Sequence, residues 1–147
     1  MAVAASELTI NNNISQIGLV SAMIERLGAE SNLVRDDVLQ LMLAAEEVIT
    51  NTINYGYDDE KEHEIFVKVV LENHLMRVEI RDDAAAFNPL EVPPPDSLEL
   101  PALQRSPGGL GIHLVRQLTD RIIYKREKNR NILTLEKRVT RSNPSQH

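Results

Sequence analysis

Two stretches of strict alternation, residues 64–71 (EIFVKVVL) and 75–82 (LMRVEIRD), are separated only by Glu72, Asn73 and His74. Period two over a stretch of that length indicates a strand, and so short a connector joins the two as an antiparallel hairpin. In the second strand Met76, Val78 and Ile80 form the apolar side, so Asp82 falls on the same side. A carboxylate at the inner end of a strand needs a donor, because burying it unpaired is costly. A backbone N–H or an arginine would serve. Residues 121–127 and 131–138 form a second hairpin, and residues 6–10 (SELTI) a short first strand ended by Asn11, Asn12 and Asn13.

Helical spacing appears in two places. Ile17, Val20, Ile24 and Leu27 fit one helix over residues 15–27, with Gly28 as its C′ residue. After a polar connector, residues 29–35, a second helix centres on residues 43–57 (LAAEEVITNTINYGY) and ends at Gly56. Its expected core stripe is Val38, Leu41, Met42, Ala45, Ile49, Thr52 and Ile53. Glu47, Asn51 and Asn54 fall together on roughly the opposite side. Glu47 and Asn51 are four apart, which sets a possible general base one turn from a hard-cation ligand. Residues 58–62 form a charged turn.

Residues 83–107 then lose all periodicity and hold six of the seven prolines. A loop of that length inside a compact domain is usually functional or disordered. It runs into Gly108-Gly109-Leu110-Gly111, directly before a helix over residues 112–118. Glycines there let backbone N–H groups approach a ligand, and the helix start adds unpaired donors and a positive dipole end. The order β-α-α-β-β-loop-α-β-β predicts an α+β two-layer sandwich: a mixed or antiparallel sheet with helices over one face. A single domain over residues 1–140 is expected, with a disordered tail over 141–147.

Composition narrows the function. With 147 residues there is chain enough for a real core, and an aromatic content of 3% without Trp makes that core aliphatic. A net charge of -6 argues against general nucleic-acid binding. Residues 121–141 nevertheless carry eight Lys and Arg against two Glu, either a solvated hairpin face or a docking surface for an acidic partner. The absence of cysteine excludes disulfides, thiolate metal sites and cysteine nucleophiles. The N-terminus lacks a signal-peptide pattern and no apolar run reaches the ~18 residues of a membrane helix, so a soluble cytoplasmic protein is expected. His63, His74, His113 and His147 show no metal-ligand spacing and are expected as surface or satisfied polar residues. Ser106 and Thr119 have no neighbouring base in sequence.

Glu47-Val48-Ile49-Thr50-Asn51 on a helix, Asp82 at a strand's inner end, and Gly-Gly-Leu-Gly opening a later helix occur here in that order. This combination resembles the GHKL ATPase superfamily with its Bergerat (HATPase) fold. Within it, the chain looks most like the anti-sigma factor serine/threonine kinases that work by partner switching. The resemblance implies ATP and Mg²⁺ as cofactors, with Asn51 as the Mg²⁺ ligand and Glu47 as the base that accepts the proton of an incoming hydroxyl. It implies that Asp82 accepts from the adenine amino group, and that Gly108, Gly109, Leu110 and Gly111 surround the phosphates. Asn54, on the polar face of the same helix, joins the nucleotide-binding set. Residues 83–107 would be the ATP lid, with Arg105 a candidate phosphate contact from it.

The implied partners are a STAS-type anti-sigma factor antagonist as substrate, a sigma factor as the competing partner and, indirectly, a PP2C-type phosphatase. No nucleic acid and no membrane contact is implied. Members of that branch often dimerise, although no stretch here marks an interface. One departure stands out: glycines are expected two and four residues after Asp82, and the chain has Ala84 and Ala86. A methyl group beside the adenine, and a penalty if φ must be positive, predict weakened nucleotide binding. A non-catalytic partner-binding module with a degenerate nucleotide site is therefore the competing expectation, and a histidine-kinase-like catalytic module acting with a separate chain is a third.

Overall fold

The long run of alternation becomes one continuous sheet. In the computed structural model, which describes residues 3–91 and 109–142, the first strand is β1, Val3–Asn11. A 3-10 turn over Ile14–Gln16 leads into α1, Ile17–Glu30, and then α2, Arg35–Tyr55. The strands β2, Glu64–Glu72, and β3, Leu75–Asp82, precede α3, Gly109–Leu118, and the chain closes with β4, Arg121–Glu127, and β5, Arg130–Arg138. The sheet order is β1-β2-β3-β5-β4, and every pairing among the described residues is antiparallel, so the mixed alternative falls away. No described helix is long and apolar enough to cross a membrane.

One sheet face carries Ile10, Ile65, Val67, Val69, Leu71, Met76, Val78, Ile80, Leu133 and Leu135, all buried under the helices. Each large aliphatic side chain so covered stabilises the fold by about 1.5–3 kcal/mol. The buried face of α2 is Val38, Leu41, Ala44, Ala45, Val48 and Ile49. That is rotated from the expected stripe, because α2 is covered by the sheet beneath it and by α3 at its side. Met42 and Ile53 are only partly buried.

The helix ends obey local chemistry. Gly28 is not the C′ residue: it lies inside α1, where a Cβ would come within 2.6 Å of Val38 Cγ2. Its role is to let α1 and α2 approach. The left-handed residue is Asn32, at φ 56, with Asn32 N–H donating to Ala29 O and Leu33 N–H to Gly28 O. This pair of bonds is the Schellman closure. Both hairpins turn on two residues. The first uses Asn73 at φ 58, and the second uses Lys128 and Asn129 at φ 49 and 63, as a type I′ turn demands.

Arg141, expected as the start of a frayed tail, instead bridges to Leu33, and Ser142 N–H donates to Asn32 O at 2.7 Å. Residues 143–147 lie outside the described part, as do residues 92–107 of the expected lid, Arg105 and Gly108.

Candidate functional site

At one end of the sheet the helices part from the strands and leave a cavity of about 360 Å³. Val48, Asn51, Thr52, Tyr55 and Gly56 of α2 form one wall, and Asp82, Tyr124, Asn131 and Leu133 on the strands form the other. Ala84, Ala85, Phe87 and Pro89 close it from the loop side, and Ile112 from α3. The lining is mostly apolar with a few convergent polar groups, as small-molecule sites are.

Asp82 and Asn131 are the two buried polar residues among those described, 6% and 7% exposed. Period two on the inner face of β3 puts Asp82 there, and register places Asn131 directly opposite on β5. Asp82 Oδ1 accepts from Ala84 N–H at 3.1 Å and from Asn131 Nδ2 at 2.8 Å. The donor that sequence reasoning required is therefore a backbone N–H together with an asparagine, and not an arginine. Burial raises the Asp82 pKa above the usual carboxylate range, with the charge of Asp83 adding to it; Asn131, Ala84 N–H and Arg126 pull the other way.

The neighbouring Asp83 points outward. His63 lies between two carboxylates, Nδ1 at 3.1 Å from Asp83 and Nε2 at 2.7 Å from Asp59. It also stacks on Tyr57 at 4.3 Å. Hydrogen bonds donated to Asp59 and then Asp83 raise the His63 pKa. This clasp ties the 57–63 connector to the segment after β3. His63 is thus a satisfied polar residue, as expected. His113 is not, since its buried Nε2 has no partner among the described residues.

The glycine departures prove benign in geometry. Ala84, Ala85 and Ala86 are absent from the residues with positive φ, so no left-handed backbone is forced on them. The Ala84 methyl is buried against Gly56, where a Cβ on the glycine would come within 2.8 Å of it. Ala85 N–H donates to Gly56 O at 2.9 Å. The methyl fills space that Gly56 leaves open, and the cavity remains.

Glu47, Asn51 and Gly111 converge where α3 meets α2. A Cβ built on Gly111 would lie 2.8 Å from Glu47 Oε2 and 3.4 Å from Asn51 Nδ2. Gly109 and Leu110 form the first turn of α3, which therefore starts three residues earlier than expected. The Nδ2 of Asn51 is buried without a partner among the described residues, and Asn51 lines the cavity. Asn54 is exposed and does not line the cavity. Sequence reasoning missed Asn131, Tyr124 and Arg126. The signal for Asn131 was present: Asn131, Leu133 and Leu135 alternate, which sets an asparagine on the inner face of β5.

A family profile for the histidine kinase-like ATPase domain matches residues 10–137. The chain belongs to that family. This histidine kinase-like ATPase domain is similar to the anti-sigma F factor of Bacillus subtilis strain 168, 26% identical over 116 residues, 78% of this chain and 75% of that one. It is also similar to the anti-sigma F factor of Bacillus cytotoxicus, 26% identical over 140 residues, 94% of this chain and 91% of the other. Among solved structures, the RsbU and RsbW domains of a Mycobacterium tuberculosis protein superpose with a TM-score of 0.68 at 16% identity. That match covers 95% of this chain and a third (33%) of the other, and shows a shared fold.

An ATPase-family domain implies ATP, whose usual companion cation needs hard oxygen donors. No group of three or more His, Asp or Glu side chains among the described residues could hold a metal by itself. The Asn51 amide suits Mg²⁺, which keeps several waters and takes its remaining ligands from substrate phosphates.

Proposed function

We propose that the chain is an anti-sigma factor kinase of the partner-switching type, which transfers the γ-phosphoryl group of Mg·ATP to a serine or threonine of a STAS-type antagonist. The observation that carries this reading is the convergence of Glu47, Asn51 and the first turn of α3 beside a cavity with Asp82 at its inner wall. The names of the relatives at 24–27% identity support the regulatory setting. A cytoplasmic location, one domain over residues 1–140, a sigma factor as competing partner and a resetting phosphatase of the PP2C type belong to the same reading.

Each residue has a defined task. The Oδ2 of Asp82, without a partner among the described residues, accepts from the exocyclic amino group of adenine, and the apolar wall of Val48, Ile112 and Leu133 covers the ring. Gly109 and Gly111 bring the N-terminal N–H groups of α3 to the phosphates, where the dipole end favours negative charge. Asn51 would hold Mg²⁺, and the ion would supply neutralisation of charge on the phosphate oxygens. Glu47 takes the proton from the incoming hydroxyl as its oxygen bonds to the γ-phosphorus, and the bond to the bridging oxygen breaks to release ADP. Positioning and charge neutralisation supply most of the acceleration.

The competing reading is a partner-binding module whose nucleotide site has decayed. The unstrained alanines and the retained cavity argue against it. The test is transfer of labelled γ-phosphate from ATP to a candidate antagonist, with Glu47→Ala and Asn51→Ala as controls. A phosphoserine or phosphothreonine product lost in both variants is the expected result. Transfer that survives either substitution, or partner binding indifferent to ATP, would remove the kinase assignment.

A further inference from the structure

Asn131 is the centre of the polar network at the cavity. Its Nδ2 donates to Asp82 Oδ1 at 2.8 Å and to Ala85 O at 3.0 Å, with Ala84 O at 3.4 Å. Its Oδ1 accepts from Tyr124 Oη at 2.6 Å, Arg126 Nη1 at 3.1 Å and Phe87 N–H at 3.4 Å. The amide orientation follows from chemistry alone. The two alanine carbonyls can only accept, and the guanidinium and the Phe87 N–H can only donate, so the amide cannot be reversed.

With all its capacity used inside the protein, Asn131 has none left for a ligand. Its effect is on Asp82. Asn131 and Ala84 N–H together hold Oδ1, which fixes the carboxylate plane and leaves Oδ2 without a partner among the described residues. The same amide pins the backbone of Ala84, Ala85 and Phe87, the stretch where glycines were expected. Arg126 reinforces it by donating to Ala84 O at 2.9 Å.

We infer that Asn131 is the positioning residue for base selection in this chain: by orienting Asp82 and the alanine segment, it sets discrimination for a 6-amino purine. The inference rests on the nucleotide reading above. A smaller residue could not bridge acceptors on one side and donors on the other. A hydrophobic residue would leave Asp82 held by one backbone donor and free to turn.

The test compares two probes, ATP and purine riboside 5′-triphosphate, which lacks the exocyclic amino group. Affinities are measured by calorimetry for the wild-type chain, Asn131→Leu and Asn131→Ser, with thermal melting alongside. Asn131→Ser adds no charge beside Asp82 and leaves room for water, while its short hydroxyl cannot bridge both sides, so it covers the case in which the leucine variant does not fold.

The wild-type chain is expected to prefer ATP by roughly tenfold or more, since a hydrogen bond to a charged acceptor is at stake. In the variants that preference should fall below about threefold, through lost ATP affinity, while the analogue binds nearly as before. A preference that survives in a folded variant overturns the inference and leaves the nucleotide reading intact. So does an equal loss for both probes, which would make Asn131 a structural residue only. A wild-type chain that binds neither probe overturns the nucleotide reading, and the inference with it.

Discussion

Substituting Gly111 separates the chemistry of the site from its stability. The Cβ of Gly111→Ala would meet Glu47 Oε2 at 2.8 Å, where ordinary contact begins near 3.4 Å, so the carboxylate must retreat by about 0.6 Å. The obstructing atom is the far end of a flexible side chain, and an off-rotamer torsion of that size costs roughly 0.5–1.5 kcal/mol. Replacing glycine by alanine inside a helix returns about 0.5–1 kcal/mol. The two offset each other, and the melting temperature should stay within roughly 3 °C of wild type. Phosphoryl transfer should not stay. A misplacement near 1 Å can cost on the order of 10²-fold, so a loss of roughly 10- to 100-fold is expected. Thermal melting and single-turnover transfer at saturating ATP measure the two quantities, and titration with a fluorescent ADP analogue checks that nucleotide still binds. Transfer within about threefold of wild type would refute the assignment of Glu47 as the base. A collapse in melting temperature would refute the claim that only the Glu47 side chain must move.

Gly56 should behave oppositely. Its Cβ would lie 2.6 Å from the backbone oxygen of Thr52 and 2.8 Å from Ala84 Cβ, so Gly56→Ala is expected to destabilise by about 1–3 kcal/mol in urea unfolding. Adding Ala84→Gly should not restore it, because Thr52 O cannot yield; full rescue would show the clash with Ala84 to be the only one that matters. The Asp82 pKa is raised, so nucleotide affinity should fall as pH drops through a value above the ordinary carboxylate range near ~4. Titrations from pH 8 downward should show this branch in wild type and not in Asp82→Asn, and an identical pH profile in both would remove Asp82 as its source. The His63 clasp gives a stability signal of the other sign. With its pKa raised in the fold, its contribution is complete below about pH 6.5 and is lost as pH rises through the folded value. The stability gap between wild type and His63→Gln should therefore narrow on going from pH 6 to 9, and a gap that widens would contradict the ion-pair account.

Much of this was legible in the sequence where a side chain's periodicity decides its place. Alternation in β3 put Asp82 on the inner face, and it sits there. Spacing of four put Glu47 and Asn51 on neighbouring turns, and Gly111 meets both. The same wheel put Asn54 on the polar side, where it is exposed, although off the cavity. The wheel failed for Ala44 and Val48, because α3 covers a flank of α2 that no local pattern reveals. Gly28 read as a helix stop when it is a contact point with Val38; only the packed pair shows why a Cβ is excluded. Asn131 required knowing which residue of β5 faces Asp82, and register between strands far apart in sequence is a property of the whole sheet.

That register has a consequence for folding. β2 with β3, and β4 with β5, are hairpins that close over short local turns, whereas the β3–β5 pairing joins residues no nearer in sequence than Asp82 and Asn131, 49 positions apart. Closing it costs more chain entropy than either hairpin, and it is the seam on which the two hairpins meet. The cavity straddles that seam, so an occupant touching Asp82 and Leu133 would brace the two hairpins against each other. A protein built this way senses its ligand as cohesion between its halves, and amide exchange along β3 and β5 should slow with nucleotide concentration before that of β1 does.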